Sequence, residues 1–137
     1  MNFMNILKRN AISLLIMLVV QYALGMYTNL FVQFPDVKDE ETLWKFAWTQ
    51  IPLAGHIILG FGLLAGSIVF LITVLKRKTQ ELKAAAITGV TCIFAAGASG
   101  ALFVDKQNGL YSLLMALFFL GAFAAYAYSF LSLKNQN

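Results

Sequence analysis

Residues 53–75 read LAGHIILGFGLLAGSIVFLITVL, a run without Asp, Glu, Lys or Arg. An α-helix rises about 1.5 Å per residue, so roughly 20 such residues cross a hydrocarbon core about 30 Å thick. Pro52 precedes the run and Lys76-Arg77-Lys78 follows it, which places a turn signal at one end and a charge block at the other. Three more uncharged apolar runs of spanning length occupy about 11–32, 84–104 and 110–133. Phe34-Pro35-Asp36 and Asp105-Lys106-Gln107-Asn108-Gly109 carry the turn signals between them. Strands of a membrane barrel alternate in polarity over about ten residues. These runs are longer and do not alternate, so the sequence predicts an all-α integral membrane four-helix bundle in one domain.

The composition agrees. The 137 residues are 60% hydrophobic and 12% charged, too little polarity to cover a soluble domain of this size. A net charge of +4 does not indicate nucleic acid, because the basic residues sit beside the apolar runs, as they do when they set membrane orientation. Cys92 is the only cysteine, which excludes an internal disulfide and a cysteine-based metal site, and it is expected to pack as a small hydrophobe.

Orientation follows from the charges. One side holds Lys8, Arg9, Lys76, Arg77, Lys78, Lys83 and Lys134 with Glu81 as its only acid. The other holds Lys38, Lys45 and Lys106 against Asp36, Asp39, Glu40, Glu41 and Asp105. Seven basic residues against three put the first side, with both termini, in the cytoplasm, and the localisation expected is the bacterial cytoplasmic membrane. The bias also argues against a dual-topology dimer. Ala23-Leu24-Gly25 loosely resembles a signal-cleavage site, but the apolar run continues through Phe31 and Val32, so the first helix is expected to stay uncleaved. In the outer loop, about 34–52, Leu43-Trp44-Lys45-Phe46-Ala47-Trp48 spaces two indoles one helical turn apart, which predicts a short helix at the headgroup level.

Lipid gives helices no hydrophobic reason to associate, so small residues have to bring backbones together. Gly62 and Gly66 form a G-x-x-x-G pair, and 95–101 is built from Ala, Gly and Ser throughout. Either face is a candidate surface for a homo-oligomer or for a neighbouring helix of the same chain.

His56 is the only histidine and lies one turn inside the second span. Ionisable residues within a membrane default to a functional hypothesis. Gly60 follows one turn later on the same face, leaving a flat gap that suits the edge of a planar ring such as haem, whose iron commonly takes a histidine. Gln21, Gly25, Thr28 and Asn29 on the first span, Ser99 on the third, and Ser112 and Met115 on the fourth fall at similar depth. The plainer alternative is that His56 makes an ordinary interhelical hydrogen bond, worth roughly 0.6 kcal/mol on average. Paired carboxylates, a Ser–His–acid arrangement, a zinc ligand set and a phosphate-binding loop are all without the residues they need in the spans.

Gln21-Tyr22-Ala23-Leu24-Gly25, then an outer loop, then Gly55-His56 opening the next span resembles one four-helix half of the haem A synthase family. The layout is similar to other four-helix membrane b-type cytochromes. The likeness covers mainly the first two spans. It implies a bundle holding haem b with His56 as axial ligand and metal-binding residue, with Gly60, Gly25 and Asn29 expected around the ring; where such bundles bring a second histidine, this chain offers Met115, with Met26 a further possibility. The fourth span has no second histidine, and the acid of a catalytic site is not evident. Two functions are therefore expected as alternatives: a haem-binding membrane protein for electron transfer, haem handling or sensing, or a non-catalytic module such as a small oligomeric channel, a transporter subunit or an accessory protein.

Overall fold

The computed structural model describes residues 3–36, 39–77 and 79–135. Two of the charges used for orientation, Lys38 and Lys78, lie outside the described residues. Five helices follow in order: α1 (Phe3–Phe31), α2 (Glu40–Thr49), α3 (Ile51–Lys76), α4 (Gln80–Lys106) and α5 (Gly109–Lys134). Among the described residues four helices are long and apolar enough to cross a membrane: α1, α3, α4 and α5. Only 17–22% of each apolar stretch is buried inside the protein, so most of its leucine, isoleucine and phenylalanine needs an apolar solvent. α3, α4 and α5 run past both ends of the apolar runs that predicted them, and α1 runs past the start of its own. α1 begins at Phe3 rather than near residue 11, so Lys8 and Arg9 sit on helix.

The spans pack in the cyclic order α1, α3, α4, α5, each backbone lying alongside two neighbours, while Phe70 of α3 and Tyr126 of α5 meet across the centre. Their seams share one spacing. Leu7, Ala11, Leu14 and Leu18 are buried on α1, Leu63, Ser67, Phe70 and Val74 on α3, Leu82, Ala86, Gly89 and Ile93 on α4, and Ala122, Tyr126, Ser129 and Leu133 on α5. Each set advances by four, three and four residues, the alternation that keeps a stripe facing its partners in a left-handed bundle. The core lies in the half of the bundle nearer the termini. There Tyr126 is wholly buried, edge-on to Phe70, and its ring covers Gly89. Cys92 packs beside this cluster against Gly121, as a small hydrophobe would.

At the other end α2 lies against α3 and α4. Asp39 caps it, accepting from Thr42 N at 2.9 Å and Thr42 Oγ1 at 2.6 Å. The face it buries is Leu43 and Ala47 rather than its indoles, and Trp48 is half exposed. Trp44 Nε1 donates to Asp105 Oδ1 at 2.7 Å, tying α2 to the end of α4. Lys106 and Glu40 add an exposed ion pair at 3.2 Å, of the kind worth little on its own. Gln50, in extended backbone, both ends α2 and begins α3, with Pro52 in the first turn of α3, where a missing N–H costs nothing. Between α4 and α5 the left-handed residue is Gln107 (φ 49°), not Gly109, and Asn108 caps α5 through Leu110 N at 2.9 Å.

Two outcomes follow. A Cβ at Gly89 would come within 2.5 Å of Tyr126 Cζ, whereas one at Gly97 would meet nothing within 4 Å. Gly89→Ala is expected to cost about 1–3 kcal/mol by overpacking, and Gly97→Ala to be near neutral, in unfolding titrations of detergent-solubilised protein. The hydrogen bonds from Thr42 hold the Asp39 carboxyl below its ordinary value. A depressed acid contributes stability that is present above its unfolded pKa, about 3.9, and lost as pH falls through the lower folded value. Fraying of α2 is therefore expected in acid below pH about 4, followed by Trp44 and Trp48 fluorescence, and Asp39→Asn should blunt the transition.

Candidate functional site at the α1–α3 seam

The seam spacing continues outward beyond the core, but its residues change character. On α1 the series Leu14, Leu18 runs on through Gln21, Gly25 and Thr28, and on α3 Leu63 is preceded by Gly60, His56 and Leu53. α4 supplies Ala96 and Gly100 at the same register, and α5 supplies Phe119, Met115 and Ser112. The outer half of the seam is thus made largely of small and polar side chains.

Because α1 and α3 are antiparallel, Gln21-x-x-x-Gly25 faces Gly60-x-x-x-His56 in reverse. A Cβ at Gly25 would lie 3.0 Å from His56 Cε1, so the imidazole rests on the α1 backbone at that glycine. A Cβ at Gly60 would lie 3.4 Å from Gln21 Nε2, so the glutamine amide occupies the gap beside Gly60. Each helix offers one polar side chain and one glycine, and each polar group sits in the other's socket.

The hydrogen bonds fix the protonation pattern. Gln21 Nε2 lies 3.0 Å from the His56 carbonyl oxygen and 3.2 Å from His56 Nε2. A carbonyl oxygen only accepts, so the amide nitrogen must face it and donate. The same NH₂ group then donates its second hydrogen to the ring, which makes His56 Nε2 an acceptor and puts the imidazole proton on Nδ1. His56 Nδ1 and Gln21 Oε1 are both buried without a partner among the described residues. Buried polar groups left so cost about 1–3 kcal/mol each.

Five hydroxyl side chains of the spans behave differently. Thr28 donates to Gly25 O, Ser67 to Leu64 O, Thr73 to Val69 O, Ser99 to Ala95 O and Ser129 to Ala125 O, each within its own helix. In the core, Tyr126 Oη is a third buried polar atom without a hydrogen-bond partner among the described residues.

Of the residues singled out from sequence, His56, Gly25 and Gly60 are brought together with Gln21. Asn29 is exposed on α1, and Met26 is also exposed. Met115 packs across the α4–α5 seam, where a Cβ at Gly100 would lie 3.3 Å from its sulfur. Gly62 and Gly66 receive Met17 and Leu14 of α1, so this pair serves packing within the chain. Gly97, in the small-residue stretch of α4, faces open space. Sequence reasoning named Gln21 only as a neighbour at similar depth. The signal that identifies it is the matched i, i+4 pairing of one polar residue and one glycine on two antiparallel seams.

Comparison with protein-family models, curated proteins and solved structures found no match.

No group of three His, Cys, Asp or Glu able to hold a metal ion occurs among the described residues. Two open grooves lie at the two ends of the bundle, and neither is lined by His56. The imidazole lone pair is taken by Gln21 and the space beside Gly60 is filled by the same amide. As arranged, these residues do not fit a haem seated against His56.

The pair should behave as one unit. In a double-mutant cycle of Gln21→Ala and His56→Ala, unfolding titrations are expected to give a coupling energy of about 0.6–1.7 kcal/mol. Gly25→Leu, which drives a side chain into the ring, should remove that coupling with both polar residues still present.

Proposed function

We propose that the chain is a cofactor-free helical module of a bacterial cytoplasmic membrane, serving as an accessory or transporter subunit, with the end that carries both termini in the cytoplasm. The observation that carries this reading is the reciprocal Gln21–His56 clamp. The one histidine has its Nε2 engaged by a partner from the same chain, in a socket that the partner helix provides. A polar pair on an otherwise apolar seam sets the register of two helices, as a single polar residue does in a coiled coil. The seven-to-three distribution of basic residues supports the orientation. Association with a second copy or another membrane protein through the Gly97 face of α4 belongs to this reading, because that face is left open by the chain itself.

A second reading, haem binding with His56 as axial ligand, is favoured by one specific observation. His56 Nδ1 and Gln21 Oε1 are buried without a partner among the described residues, and such groups often mark a place where a ligand or water enters. Bound haem would supply one-electron redox chemistry. Gln21 would have to release Nε2 first, and Gly25 and Gly60 would lie next to the freed ring.

An absorbance spectrum of the purified protein, oxidised and then reduced with dithionite, separates the two. The expected result is no Soret band in either the natural protein or His56→Ala, including after haem is supplied. A Soret band and reduced α-band that disappear in His56→Ala would overturn the module reading and establish the second.

A further inference from the structure

We infer that the termini-bearing end of the α1–α5 seam holds a binding site for one phospholipid with an anionic headgroup. A groove of about 500 Å³ opens there between the two helices, lined by Asn5, Lys8, Arg9, Ile12 and Phe130. Its composition is graded along the membrane normal. Asn5, Lys8 and Arg9 stand on the first two turns of α1, outside the apolar run, at the depth where a headgroup phosphate lies. Ile12 and Phe130 form the apolar wall one turn deeper. From Ile12, the exposed Ile16 and Val19 continue the same face of α1 at spacings of four and three residues. A charged head and an apolar track in continuous register are what a phospholipid presents in reverse.

The sign of the charge selects the lipid. A groove of similar size, about 540 Å³, lies at the other end of the bundle, but its lining includes Asp36, Glu40 and Asp105 against Lys106 alone. An anionic headgroup is repelled there and attracted at the Lys8–Arg9 end. Basic pockets between membrane helices on the cytoplasmic side are suited to anionic headgroups. Arg9 has an interaction within the chain as well, so the site draws first on Lys8, with Arg9 contributing its field. The inference does not depend on the role of His56 and stands on either functional reading.

Native mass spectrometry of the full-length protein in mild detergent tests it, using dioleoyl phosphatidylglycerol against dioleoyl phosphatidylcholine. One phosphatidylglycerol is expected to be retained in preference to phosphatidylcholine. Lys8→Gln/Arg9→Gln should weaken its retention about tenfold, Lys8→Arg should restore it in the Arg9-intact chain relative to Lys8→Gln, and Phe130→Ala should weaken it without changing the charge. Lys76→Gln/Arg77→Gln, which removes two charges of the same end outside the groove, should leave retention unchanged. Far-ultraviolet circular dichroism of each variant confirms that the helices are intact. Equal retention of the two lipids, an equal loss in the Lys76/Arg77 variant, or no effect of Phe130→Ala would overturn the site. Competition by inorganic phosphate as effective as that by phosphatidylglycerol would do so too, since it would show a headgroup charge alone being read.

Discussion

Helices in hydrocarbon gain nothing by hiding leucine from lipid, so this bundle depends on how closely its backbones can approach. Glycines set that distance. Seven of the ten would place a Cβ against a specific side chain: Gly25 against His56, Gly60 against Gln21, Gly62 against Met17, Gly66 against Leu14, Gly89 against Tyr126, Gly100 against Met115 and Gly121 against Cys92. In each case the glycine is on one span and the inserted group on the neighbouring one. None of the glycines has positive φ. Their role is therefore to act as sockets, and backbone freedom has no part in it. Dispersion between well-fitted surfaces replaces the hydrophobic term that a soluble bundle would use. The sockets differ in tightness: a methyl group at Gly89 or Gly121 would come within 3.0 Å of Tyr126 or Cys92 and force a shift, whereas one at Gly60 or Gly62 would make an ordinary contact.

The same geometry explains why polarity is concentrated at one pair. A serine or threonine hydroxyl in a span satisfies itself on its own preceding turn, and Ser67, Ser99 and Ser129 do so even when buried. Glutamine and histidine side chains are too long to fold back in this way without leaving groups unmet. Across the α1–α3 seam they meet each other, and the glutamine also reaches the histidine's own carbonyl. The pair is not fully satisfied, and in a low-dielectric interior that residue of cost is substantial. Any shift of α1 along α3 would lose the two bonds and strand four polar groups instead of two. The arrangement therefore specifies register more firmly than it adds stability.

The number, type and approximate extent of the spans were legible from charge-free runs, because the length of a helix that crosses lipid is fixed by the bilayer. The short outer helix was legible from indole spacing, though its buried face was not. Trp44 and Trp48 are one turn apart, and so are Leu43 and Ala47, and only the shape of the α3–α4 end decides which pair turns inward. At the candidate site, His56, Gly25 and Gly60 could be named because histidine is rare in a span and glycine has no side chain. Two contacts could not be read. Gly60 reads as a gap above the imidazole when α3 is taken alone, yet Gln21 of α1 enters that space. Gly62 and Gly66 in isolation leave a second copy and a helix of the same chain equally open, and it is α1 that covers them. Spacing along one helix gives the face, and the identity of what meets that face belongs to the partner helix.

The two ends of the bundle differ for a reason that follows from the seam. Toward the termini the seam is filled by Leu7, Ala11, Leu14, Phe70, Val74, Leu82 and Leu133 and closes itself. Toward the other end its small and polar residues fill less space and would admit water from the surface. α2 lies across that end, burying Leu43 and Ala47 and anchored by the bond from Trp44 to Asp105. Leu53, the last buried seam residue of α3 on this side, sits beneath it, one turn above His56. The Gln21 and His56 atoms left without partners are buried within the bundle, whereas α2 packs on α3 and α4 and its backbone does not lie alongside α1. α2 therefore closes the α3–α4 side of an end whose own seam residues are small, and the polar pair is held by the close approach of α1 and α3 alone.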